Sequence, residues 1–78
     1  MATAHRIEIN PKIMLGKPVI RGTRIPVDLI LRKLSEGATE AQLFDAYPAL
    51  TPEDIRACLA YAADVLAHEE TISIQENE

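Results

Sequence analysis

Between residues 26 and 68 the chain carries helix start and stop signals at such short intervals that three successive short helices satisfy it best. Pro26 lacks a backbone donor, so it belongs at a strand edge or at the opening of a helix. Val27, Ile30, Leu31 and Leu34 then recur with the spacing of one helix face. Gly37 follows at the point where a C-terminal cap needs positive φ. This predicts a first helix from about Pro26 to Glu36. Thr39-Glu40-Ala41-Gln42 is a capping box, in which the threonine hydroxyl takes the N3 amide and the glutamine reaches back. Leu43, Phe44 and Tyr47 give that second helix its apolar side, and Pro48 ends it by pushing Tyr47 out of helical φ/ψ.

The third helix has the strongest start. Thr51 is the N-cap and Pro52 takes the first helical position, where a missing N–H costs nothing. Glu53 and Asp54 face the positive end of the helix dipole, and Leu50 is placed to staple onto Ile55. The helix is expected to run to about His68, with Ile55, Cys58, Leu59, Ala62, Val65 and Leu66 as its buried stripe. Ala57, Ala60, Ala63 and Ala67 leave the rest slim, either for close approach of a second chain or for helix propensity alone.

Upstream the pattern is extended. Arg6-Ile7-Glu8-Ile9 alternates, and Asn10-Pro11 and Gly16-Lys17-Pro18 are turn signals. Val19-Ile20-Arg21 and Arg24-Ile25 read as the arms of a hairpin closed by Gly22-Thr23, a two-residue loop of type II′. The fold class that results is mainly α, a three-helix helix-turn-helix bundle with an N-terminal β-hairpin/strand region. It is one domain over residues 1–78: strands and hairpin over 6–26, helices over 26–68, and a flexible tail over 69–78 that can order on a partner.

With 78 residues the chain buries only about 60% of its unfolded surface, so the core is small and some staple is expected. Cys58 is the sole cysteine, which rules out an intrachain disulfide. His5 and His68 stand far apart, so no zinc-ligand spacing is present and no metal or cofactor is expected. A partner chain remains as the staple. A lone thiol, with no signal peptide and no apolar run long enough to span a bilayer, fits a cytoplasmic protein that avoids the membrane.

Net charge is −4, but it is unevenly spread. Residues 1–33 hold seven basic residues against two acids, a net +5. Residues 34–78 hold Arg56 against ten acids, a net −9. Such a split suits two faces with different partners, or simply a solvated acidic helical surface.

Gly16-Lys17-Pro18-Val19-Ile20-Arg21-Gly22-Thr23-Arg24-Ile25-Pro26-Val27 resembles the signature of the family known as domain of unknown function 433. Leu34-Ser35-Glu36-Gly37-Ala38-Thr39, Tyr47-Pro48-Ala49-Leu50-Thr51-Pro52-Glu53-Asp54-Ile55 and Ala60-Tyr61-Ala62 match its later blocks, so the resemblance covers about Ile7 to Leu66. That family is similar to homeodomain-like helix-turn-helix proteins, and many members are regarded as VapB-like antitoxins encoded beside a PIN-type nuclease toxin. The resemblance implies a homodimer with two tasks: holding a PIN-like toxin inactive and binding operator DNA. A protein–protein interaction module that never touches DNA is the other reading.

The candidate contact residues are Lys17, Arg21, Thr23, Arg24, Thr51 and Arg56. With Gly22-Thr23 as the loop, Arg21 and Arg24 face each other across the hairpin and repel, unless an anion lies between them. A DNA phosphate or the carboxylates of a nuclease site supply such an anion. Alternatively the arginines pair internally with Glu8, Asp28 or an acid of the third helix. In a helix-turn-helix the second helix of the pair presents its N-terminal residues to the major groove, here Thr51, Glu53, Asp54, Arg56 and Ala57. Arg56 alone suits a guanine, and it has Glu53 and Asp64 as rival partners. The acids make this a poor reading head, which shifts any DNA contact to the basic first third. Cys58, Phe44 and Met14 read as core, and Tyr47 and Tyr61 as boundary residues. No converging set of titratable groups points to an enzyme.

Overall fold

Val19 and Ile20 lie between two other extended segments, and this arrangement organises the N-terminal part of the chain. The computed structural model describes residues 6–77, with side chains over 6–68. Strand β1 (Ile7–Glu8) pairs antiparallel with β2 (Val19–Ile20), Ile7 opposite Ile20 and Glu8 opposite Val19. On the other edge of β2, Val19 bridges Pro26. The Ile20 N–H donates to the Ile25 carbonyl (3.0 Å) and the Val27 N–H to the Pro18 carbonyl (2.9 Å). Pro26 needs no donor at that bridge, and it is also the N-cap of the next helix. Ile9 falls beyond the short strand and is exposed.

The connection from β1 to β2 is unusual. Residues Met14–Gly16 form a one-turn 3-10 segment in left-handed backbone, with φ of 51° at Met14, 58° at Leu15 and 86° at Gly16. Only glycine enters that region without cost. The turn is held by Gly16 N–H to Ile13 O (3.0 Å) and Lys17 N–H to Met14 O (3.1 Å). Met14, expected in the core, is exposed here, because the left-handed turn swings its side chain outward.

Three helices follow among the described residues: α1 (Val27–Ser35), α2 (Glu40–Ala46) and α3 (Pro52–Asn77). Gly37 at φ 97° ends α1 in a Schellman motif, with Ala38 N–H on Lys33 O and Gly37 N–H on Leu34 O, both 3.0 Å. Both bonds of the Thr39–Gln42 capping box are present, at 3.1 and 2.9 Å. Leu50 N–H closes the turn onto Tyr47 O (2.9 Å), joining α2 to α3. Helix α3 continues to Asn77, past the expected end near His68; side chains of the proposed tail, 69–78, lie outside the described residues.

One cluster forms the core. Ile7 and Ile20 from the sheet, Val27 and Ile30 from α1, Leu43 from α2, and Leu50, Ile55, Ala57 and Cys58 at the head of α3 are all buried in it. Phe44, Tyr47 and Tyr61 pack against its edge. Burying an Ile or Leu side chain is worth roughly 1.5–3 kcal/mol, so these few residues carry most of the favourable term. The expected α3 stripe is only half covered. Cys58 is fully buried, whereas Leu59 (49% exposed), Val65 (41%) and Leu66 (53%) are not. Val65 stands two turns beyond Cys58 on the same face, so the stripe keeps its direction past the buried cluster.

Candidate nucleic-acid and partner interface

The loop between β2 and α1 differs from the expected two-residue hairpin. Thr23 N–H donates to Ile20 O (3.0 Å), and Gly22 takes φ 80°. Arg21 is not left-handed, so Ile20–Thr23 is a type II turn with Gly22 at its third position, not a II′ turn on Gly22-Thr23. The Thr23 hydroxyl then locks the exit. It donates to Ile20 O (2.7 Å) and accepts from Ile25 N–H (2.9 Å). Thr23 is therefore a backbone clamp. Arg21 and Arg24 lie inside the loop between Ile20 and Ile25, outside β1 and β2. Both are exposed, and the Arg21 N–H donates to Arg6 O (2.7 Å). Among the described residues Arg24 has no ion-pair partner.

Lys17 pairs with Asp28 on α1 (3.2 Å), both half-exposed, so it ties the turn to the helix at little energetic gain. Arg56 lies 3.6 Å from Glu53 one turn earlier on α3, the surface pair that competes with a base contact.

The head of α3 is built for structure. Thr51 Oγ1 accepts from Asp54 N–H and Asp54 Oδ2 accepts from Thr51 N–H, each at 3.1 Å, a reciprocal capping box with Asp at N3. Asp54 is 5% exposed, and its other oxygen receives Arg6 Nη1 at 3.0 Å. Ala57 is buried in the core. Thr51, Asp54 and Ala57 are thus occupied, and only Glu53 and Arg56 of the five candidate base-reading positions are exposed. Burial, and then the negative charge of Asp54, lift the Cys58 thiol from 9.0 to about 11, so it stays protonated and inert at neutral pH.

Sequence reasoning missed Arg6 and Leu15. Thr51-x-x-Asp54 was itself a cap signal, but nothing local marks Arg6 as its third member. Among the described residues no group of three His, Cys, Asp or Glu side chains is placed to hold a metal ion. No helix there is long and apolar enough to cross a membrane.

A short antiparallel sheet, a clamped loop carrying two arginines and three helices define a small, mainly α domain. The chain belongs to the DUF433 family, proteins of unknown function, whose profile matches residues 7–62. A crystal structure of a DUF433 member from Anabaena variabilis is similar to it, with a TM-score of 0.73 and 33% identity over 94% of this chain and 69% of that one. The uncharacterized protein y4eO of Sinorhizobium fredii is 38% identical over 61 residues, which are 78% of this chain but 28% of y4eO. An uncharacterized protein of Archaeoglobus fulgidus is 59% identical over 28 residues, 36% of this chain and 78% of its own length.

Proposed function

We propose that the protein is a non-enzymatic, antitoxin-type regulator that acts as a homodimer, binding operator DNA and holding a PIN-like nuclease toxin inactive. The observation that carries this reading is Arg24. It is exposed, lies in a loop held by the bonds of Thr23, and has no ion-pair partner among the described residues. A guanidinium held out in this way suits a phosphate or a carboxylate cluster. The basic N-terminal third supplies the surrounding positive field.

The occupied head of α3 favours a second reading. With Thr51, Asp54 and Ala57 committed to cap and core, α3 offers little to read bases. A protein-interaction module without DNA binding needs no such reading head.

Titration of the purified chain with duplex DNA from its own upstream region at two salt concentrations separates the two. The regulator binds with strong salt dependence, and Arg24→Ala weakens binding and lowers the salt slope by about one unit per protomer. No binding, alone or with a partner protein present, leaves the interaction module.

A further inference from the structure

We draw no further inference here: the strongest candidate, the apolar groove between α1 and α3 lined by Leu31, Tyr61, Val65 and Leu66, carries nothing because nothing in the structure shows what covers it.

Discussion

Arg6 and Asp54, 48 positions apart, share a 3.0 Å contact that fastens the start of β1 to the first turn of α3. The carboxylate serves both partners: one oxygen takes the guanidinium while the other caps Thr51 N–H. The Arg6 side chain is 40% exposed, so water shares its charge, whereas Asp54 is nearly enclosed. The two ends of the pair are therefore unequal. Asp54→Ala should cost about 2–3 kcal/mol, because it removes the cap and the ion pair together. Arg6→Ala should cost about 1–2 kcal/mol, since Asp54 keeps its amide partner. Urea unfolding midpoints order the two variants, and equal losses would show that the cap contributes nothing.

The Thr23 hydroxyl bridges Ile20 O and Ile25 N–H. Thr23→Val keeps shape and β-branching but loses both bonds, and should destabilise the fold by about 1–2 kcal/mol. It should also weaken anion binding without changing charge, by loosening the loop that carries Arg24. Thermal melts and the DNA titration read the two effects separately.

Gly22 at φ 80° has open space where a Cβ would stand. Gly22→Ala therefore meets backbone strain only, and should cost about 1 kcal/mol with no repacking. An unchanged denaturation midpoint would mean that the turn relaxes to another type.

Cys58 gives the pH dependence. Its thiol is raised in the folded chain to about 11 from 9.0, so above pH 9 the unfolded state loses the proton first. Stability from this group is complete below about pH 9 and is lost as pH rises toward about 11. Cys58→Ala should flatten the alkaline limb of a stability–pH curve. A thiol reagent should react slowly with native protein and quickly in denaturant.

The helices were legible because their signals are local. The Thr39–Gln42 box and Gly37 cap declare themselves within a few residues, and the structure places them as the spacing requires. The basic loop was harder. Gly22 permits positive φ in either turn register, and the deciding bonds belong to the Thr23 side chain. The pairing of Ile7 with Ile20 crosses a left-handed connection with no sequence signature. Periodicity found the direction of the α3 stripe through Leu59, Val65 and Leu66 but not its coverage, because period reports a face and not what lies against it. Of the contact candidates, Thr23 and Thr51 turned out to hold backbone, while Arg24 is exposed with no ion-pair partner among the described residues.

Because β1 leans on the last helix while its pairing partner β2 feeds the first, the chain closes on itself like a clasp. No fragment that omits β1 or the first two turns of α3 keeps a complete core, since Ile7 and Ile55 belong to the same cluster. Assembly must wait for this long-range closure, and disassembly has no natural halfway point. A chain this small is thereby expected to unfold in one step, so the basic loop and the apolar face are lost together.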